Sequence, residues 1–246
     1  MQSVHFSTRT NQFEYFDEVL GHPRWRGKKI LDFGGNVGNF LIGASDEVRE
    51  RDYWCMEVHA DVVREGQTNF PRAHFVHFDR YSSEFNPAGV RHQPVPDDGT
   101  RFDFILAFSV FTHIDRSEML ELATSLRALL APRGVFAFTF TDPTYDKARS
   151  HPDLAGSDVR KSLGWANAKD LDALVERAMA SPYCVAIGDQ LFCEPGEEIS
   201  HQKRVGAPWE SYCAYYTADC MRSLFPGCEI HDPVKPAWQH CCVVRR

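Results

Sequence analysis

The segment Lys29-Ile30-Leu31-Asp32-Phe33-Gly34-Gly35-Asn36-Val37-Gly38-Asn39-Phe40 constrains this chain more than any other. An apolar run ending in an acid passes into a turn carrying Gly34, Gly35 and Gly38, and then into residues that can open a helix. Glycine at that density lets the backbone take left-handed turns and approach a ligand closely. A strand–turn–helix junction of this kind also leaves backbone N–H groups beside the ligand. A second apolar run, Tyr53-Trp54-Cys55-Met56, ends in Glu57, nineteen residues past Gly38. An acid at that distance, at the tip of a neighbouring strand, suits a carboxylate that accepts hydrogen bonds from ribose hydroxyls. Together the two segments read as a nucleoside-cofactor cradle.

Dinucleotide binders use G-x-G-x-x-G, and that pattern is incomplete here because Phe33 and Asn36 stand where glycines would fall. The stretch instead resembles motif I of the class I S-adenosylmethionine-dependent methyltransferases, D-x-G-x-G-x-G. Asp32, Gly34 and Gly38 are in register, and Asn36 replaces the middle glycine. Asparagine enters the left-handed region more readily than other non-glycine residues, so the turn can survive the replacement. Downstream, Ala73-His74-Phe75-Val76-His77-Phe78 ends at Asp79 and matches the third strand. The run Phe102 to Ile114 looks like motif IV, and Leu126 to Gly134 looks like the corner from a helix to the fifth strand. The resemblance spans residues 29–142. It implies S-adenosyl-L-methionine as cofactor, with contacts at Asp32, Gly34, Gly35, Asn36, Gly38, Glu57, Asp79 and Ser109.

The hydrophobic pattern agrees with an α/β fold. Strands expected near 29–33, 53–57, 74–78, 102–108 and 134–140 alternate with helical stretches, which predicts a mostly parallel sheet covered by helices. Asp115 followed by Glu118 resembles a capping box, and Met119, Leu122, Leu126, Leu129 and Leu130 recur at helical spacing. The resemblance further implies a Rossmann-like seven-stranded sheet with helices on both faces and an antiparallel last strand. Glu229-Ile230-His231 and Gln239 to Val244 are the candidates for its closing hairpin, after a helix from Thr217 to Leu224. The domain organisation expected is a helical lid segment at 1–28, the cofactor core at 29–142, an insertion or substrate cap at 143–216, and a C-terminal helix and hairpin at 217–246 that complete the sheet. Within the insertion, Ala168 to Ala180 reads as a helix and Tyr183 to Cys193 as a hairpin. Trp165, His201, Trp209, Tyr212, Tyr215 and Tyr216 are candidate walls of an acceptor pocket.

Composition excludes several classes. Lys and Arg number 27 against 34 Asp and Glu, a formal charge of −7, and the basic residues form no run, so a nucleic-acid groove is not expected. The sequence offers no apolar run of the roughly 20 residues needed to cross a bilayer, and Met1 to Phe6 lacks a signal-peptide core, which predicts a cytoplasmic protein with no membrane partner. The eight cysteines include no C-x-x-C, and Cys241 and Cys242 are neighbours on an expected strand, so they point to opposite faces and cannot chelate jointly. Buried free thiols and no metal site are the expectation. Oligomeric state leaves no mark in the sequence.

His113, just after the fourth strand, is the first candidate for a general base, with Asp142 after the fifth strand and His240 on the last strand behind it. The strand-four end reads Ala107-Phe108-Ser109-Val110, without the N/D-P-P-Y/F signature of amide and adenine N-methyltransferases. A resemblance to catechol-type metal sites would require acids closing both strands four and five, and Ser109 stands where the first would be. A small-molecule acceptor of specialised metabolism, methylated on O, N or C, is the reading that follows. The alternatives are a fold that binds the cofactor without methylating, a peptide or protein carboxyl methyltransferase, and an NAD-dependent oxidoreductase, which the glycine spacing disfavours.

Overall fold

The computed structural model describes residues 11–82, 85–142, 183–187, 190–193, 212–234, 237 and 239–246. The expected helix at 168–180 and the aromatics Trp165, His201 and Trp209 lie outside the described residues. Helix α1 (Gln12–Val19) begins where the Asn11 side chain accepts from the Glu14 N–H at 3.1 Å, and it buries Tyr15, Phe16 and Val19. Then come β1 (Ile30–Phe33), α2 (Asn39–Ala44), β2 (Tyr53–Glu57), α3 (Ala60–Asn69), β3 (His74–His77), β4 (Phe102–Ala107), α4 (Arg116–Ala128) and β5 (Leu130–Phe140). Beyond these lie β6 (Tyr183–Ile187), β7 (Gln190–Cys193), β8 (Tyr212–Tyr216), α5 (Ala218–Leu224), β9 (Glu229–His231) and β10 (His240–Arg245).

Among the described residues, seven strands form one sheet in the order β3-β2-β1-β4-β5-β10-β9. Strands β1 to β5 pair in parallel, and β10 runs antiparallel to both β5 and β9. The anticipated Rossmann-like sheet with an antiparallel closing strand is thus the observed one. Alternation along the strands feeds two cores. Leu31, Phe33, Ile105, Phe136, Phe138 and Cys242 meet Met119, Leu122 and Leu126 of α4 on one face. Ile30, Phe104, Leu106, Ala137, Cys241 and Val243 meet Tyr15, Phe16, Phe40 and Val63 of α1 to α3 on the other. Cys241 and Cys242 therefore do point to opposite faces, as a strand requires.

The fifth strand starts earlier than its apolar pattern suggests. Arg133 takes a left-handed φ of 64°, and the pairing with β4 slips between Phe102↔Leu130 and Phe104↔Val135. The Ala131-Pro132-Arg133-Gly134 corner is therefore a bulged continuation of the strand, not a break before it. Strands β6 and β7 pair antiparallel where a hairpin was anticipated, and β8 joins them in a separate three-stranded sheet of order β7-β6-β8. The Tyr216 N–H donates to Thr141 O at 3.0 Å, and the Tyr216 side chain, 1% exposed, lies in the core and not on a pocket wall. In α5, Thr217 and Asp142 accept from the N–H groups of Cys220 and Ala218 at 3.2 and 2.8 Å.

The long connection after β3 is pinned by one buried cation. Arg80, 3% exposed, donates from Nε to Glu118 at 2.8 Å, from Nη1 to Glu121 at 3.0 Å and to Gln93 O at 2.7 Å, and from Nη2 to Glu121 at 3.1 Å. Asp115 caps α4 as expected, accepting from the Glu118 N–H at 2.8 Å, but the Glu118 carboxylate does not close the anticipated box. It turns instead to Arg80, because a charged partner outweighs a neutral backbone N–H. Backbone bridges Arg80↔Val90 and Ser82↔Asn86 complete the turn of the loop. Truncating Arg80 to Ala leaves two carboxylates facing one another beside a lost hydrogen-bond hub. Since both retain some contact with solvent, we expect a loss of about 2–4 kcal/mol in urea unfolding, whereas Glu121→Gln costs less than about 1.5 kcal/mol.

Candidate active site

A cleft of about 540 Å³ opens at the C-terminal ends of β1, β2, β3 and β4. Its floor and walls include Phe33, Gly34, Asn36, Met56, Glu57, Val58, Phe78, Ser109, Val110 and His113, with Gln12 of α1 and Glu118 of α4 at its margins. Gly34, Asn36, Glu57, Ser109 and His113 from the sequence-derived candidates are thus brought together. Asp32, Gly35 and Gly38 stand behind the cleft and shape its loop.

Each residue of that loop has its own reason. Gly34 has φ 73°, and a Cβ there would lie 2.4 Å from Val110 Cγ2, so both backbone conformation and space demand glycine. Gly35 needs only the space, since its Cβ would meet Asp32 Oδ2 at 2.3 Å. Asn36 has φ 55°, the left-handed turn expected of a glycine substitute, and its Oδ1 accepts from the Val37 N–H at 2.8 Å. Gly38, with φ 94°, starts α2. This path delivers the Asn36 N–H to Glu57 Oε2 at 3.0 Å, while Glu57 Oε1 accepts from Val58 and His59 at 2.7 and 3.3 Å.

The acids here are held away from their ordinary behaviour. Asp32 is wholly buried, and burial pushes its carboxyl up to about 7, opposed by the Tyr53 hydroxyl that donates to it at 2.6 Å. The nearby charge of Glu57 raises it further, and the Phe40 backbone N–H opposes the rise. Burial also raises Glu57, against the N–H groups of Asn36, Val58 and His59.

On the opposite wall Ser109 has φ 58°, a conformation that a non-glycine residue holds only when its surroundings enforce it. They do so through Thr139, whose Oγ1 accepts from the Ser109 N–H at 2.7 Å and donates to Gln239 Oε1, while Gln239 Nε2 donates to Ser109 Oγ at 3.0 Å. Tyr15 donates to Gln239 O at 2.8 Å, so α1 is tied to the same node. His113 follows in a short 3-10 turn (Phe111–His113), its ring edge-on to Phe85 at 5.5 Å.

Three candidates stand elsewhere. Asp79 is exposed, does not line the cleft, and accepts from Asn86 Nδ2 at 3.0 Å. Asp142 caps α5, and His240, 3% exposed, lies against the Phe140 ring at 5.3 Å with Nε2 3.7 Å from Asp232. Conversely, Gln12, His59, Arg80, Tyr81 and Glu118 line the cleft without having been singled out as site residues. A signal for two of them was present: Arg80 directly follows the acid ending a strand, and Glu118 and Glu121 fall one helical turn apart. Among the described residues no group of His, Cys, Asp and Glu is arranged to hold a metal ion, and no helix is long and apolar enough to cross a membrane.

Comparison with known proteins agrees with this architecture. A family model described as a methyltransferase domain matches residues 12–178, so the chain belongs to that methyltransferase family, and its fold is that of the class I S-adenosylmethionine-dependent enzymes. Similar solved structures include an S-adenosylmethionine-dependent methyltransferase from Clostridium acetobutylicum ATCC 824, at TM-score 0.53 and 11% identity over 96% of this chain and 90% of that one. CalS10, an amino pentose methyltransferase from Micromonospora echinaspora involved in calicheamicin biosynthesis and solved with S-adenosylmethionine bound, aligns at TM-score 0.56 and 12% identity over 98% and 92%. The glycopeptide N-methyltransferase MtfA, complexed with S-adenosyl-L-homocysteine, aligns at TM-score 0.53 and 15% identity over 98% and 90%. At these identities the likeness is one of fold. No curated protein matches the chain by sequence.

The raised carboxyls make a signed prediction. A folded-state pKa above the unfolded value of about 3.9 means that the folded form binds more protons between pH 4 and 7, so stability falls as pH rises through that window. Each such group contributes a slope of up to about 1.4 kcal/mol per pH unit. Urea unfolding of the ligand-free protein from pH 4.5 to 7.5 should lose stability with rising pH, and Asp32→Asn, which keeps an acceptor for Tyr53, should flatten the slope without abolishing the share due to Glu57.

Proposed function

We propose that this protein transfers a methyl group from S-adenosylmethionine to a small-molecule acceptor bound in the same cleft. The observation that carries the reading is the pairing of a bare glycine loop with a carboxylate: Gly34 and Gly35 leave no room for side chains, and Glu57 sits on the cleft wall one strand away. These residues fit the cofactor. A nucleoside needs close backbone approach and a hydroxyl acceptor, and the volume lies within the range for such ligands. Gly34, Asn36, Glu57 and Ser109 would hold it, with Asp32, Gly35 and Gly38 shaping the loop beneath. When bound, the cofactor supplies an electrophilic methyl group on a sulfonium.

The chain's own share is alignment, exclusion of water and removal of a proton. Phe33, Met56, Phe78, Phe85, Phe108 and Val110 give the cleft a largely apolar lining. His113, on that lining, is the group best placed to take a proton from an acceptor hydroxyl or amine, worth about 10²–10⁴-fold in rate. Asp142 and His240 are engaged elsewhere in the fold and are weaker claimants. An amino sugar and a glycopeptide are the acceptors of two fold relatives, which supports a small molecule of specialised metabolism as the acceptor class.

Thermal unfolding with S-adenosylhomocysteine, and with NAD as control, tests the cofactor. At about 100 times its dissociation constant the ligand should add about 2.7 kcal/mol, and NAD should add nothing. A shift with NAD alone would overturn the proposal. Glu57→Gln should weaken S-adenosylhomocysteine binding at least about tenfold, as loss of a charged hydrogen-bond acceptor requires. His113→Ala should lower turnover of an accepted substrate well over about tenfold with cofactor affinity nearly unchanged; unchanged turnover would remove it as the base.

A further inference from the structure

The other end of the parallel sheet carries a second hollow, of about 920 Å³, that shares no residue with the cleft. It lies where the chain enters β1, β2 and β3, whereas the cleft lies where the chain leaves them. Arg26, Arg49, Arg51 and Arg72 line it, and Asp46 and Glu50 are the acids of its walls. Four guanidinium groups against two carboxylates leave two positive charges in excess, on a chain whose formal charge is −7. Cations gathered in this way repel one another until something negative joins them.

The contacts formed there use little of this charge. Glu50 is spent on Arg72: its Oε2 accepts from the Arg72 N–H at 3.1 Å and its Oε1 from Nη2 at 3.3 Å, and these bonds hold its carboxyl below the usual range. Arg26 donates to the Asp46 carbonyl at 3.5 Å, and Arg49 stands 4.0 Å from Asp52. Among the described residues nothing pairs with the Arg51 guanidinium, although the backbone beneath it is tied, its O lying 3.2 Å from His74 Nε2. The carbonyl ends of α2 and α3, at Ser45 and Phe70, close on the same hollow and attract cations. They give a structural reason for some of these arginines, but not for a guanidinium left without a partner.

Between the cations the walls are apolar. Leu41 and Val48 are buried there and Phe70 is half-buried, while Ile42, 48% exposed, is one of two large apolar side chains that the described residues leave in water. A concave volume of this size suits a small molecule. The two acids interrupt the continuous basic track that a nucleic acid requires. Guanidinium forks match the oxygens of a phosphate in pairs, a dianion offsets the charge excess, and an apolar body covers Ile42 and Phe70. We propose that this hollow binds an organic phosphate, a phosphate monoester carried on an apolar or aromatic body, at a site separate from the cleft and independent of the methyl-transfer reading.

The probe is 1-naphthyl phosphate, a dianion at about pH 7.5, titrated by calorimetry into the full chain at about 50 mM salt, with inorganic phosphate and 1-naphthol as its separate halves. It should bind with a dissociation constant below about 1 mM and at least about tenfold more tightly than either half. Arg51→Gln, an exposed change that breaks no contact, should keep the urea midpoint and weaken the probe at least about fivefold, and Ile42→Ser should weaken it about threefold. Arg127→Gln removes the same charge from α4, on the other face of the sheet, and should leave binding unchanged. An equal loss in that variant would mean that the probe answers to net charge alone and would overturn the site. Saturating S-adenosylhomocysteine should not displace the probe, and competition between the two would move it into the cleft and overturn the site as well. The arginine variants read the hollow whether or not S-adenosylhomocysteine binds, so a failure of the proposed cofactor stays distinguishable. Absence of binding at millimolar probe, or binding indifferent to Arg51→Gln, refutes the proposal.

Discussion

The contact on which the rest of the site depends is the burial of the Asp32 carboxylate beneath the backbone of Gly35. A Cβ at residue 35 would sit 2.3 Å from the acid's oxygen, so the loop can follow its path only because nothing projects there. Tyr53 donates to the same carboxylate from the start of β2, which ties the far end of that strand to the C-terminal half of β1. From that lock the loop rises through the left-handed Gly34 and Asn36 and brings a backbone N–H to Glu57. The cost is a carboxyl taken wholly out of water, which the fold meets by holding its proton up to about pH 7. A methyl-sized addition at residue 35 would therefore disturb Asp32, the loop and Glu57 together, although neither Asp32 nor Gly35 lines the cleft.

The facing wall is built on a second constraint of the same kind. Ser109 keeps its left-handed conformation through Thr139 and Gln239, which belong to β5 and to the residue preceding β10. Tyr15 of α1 joins the node, so segments from both ends of the chain fix one turn beside the cleft. Strain of that sort persists only where the surroundings over-determine it, and all three supporting side chains are buried.

These two constraints differ in how far the sequence reveals them. The sheet was legible because β1, β2, β4 and β5 are runs of apolar residues whose two faces are both covered, and the acid-ended strands 29–33 and 53–57 carried their own punctuation. Asn36 could be read as a left-handed position because its chemistry is distinctive. Gly35 could not be separated from its neighbours, since its reason is an approach by Asp32 that only the folded chain creates. Gln239 and Thr139 were illegible for a related reason: they act on Ser109 across 130 and 30 residues, and a lone polar residue on an apolar strand has no period to betray it. Glu118 misled, because its spacing from Asp115 fits a local cap while a cation 38 residues earlier claims it. Asp79 stands exposed and off the cleft lining, since an acid ending a strand can face either the cleft or the solvent, and spacing does not distinguish them.

The electrostatic character of the cleft follows from how these charges are spent. Arg80 brings a cation to the lining, but four of its five N–H donors go to Glu118, Glu121 and Gln93 O and two carboxylates face its charge, so it adds little positive potential to the open volume. Glu57 and Glu118 remain as acids of the lining, and the facing groups capable of positive charge are His59 and His113. A cleft weighted toward acids and largely apolar elsewhere favours a cation over a neutral ligand of the same shape, because low polarity strengthens the attraction. The sulfonium of the proposed cofactor is such a cation and the thioether left after methyl transfer is neutral, so on that proposal these acids would attract the first more than the second.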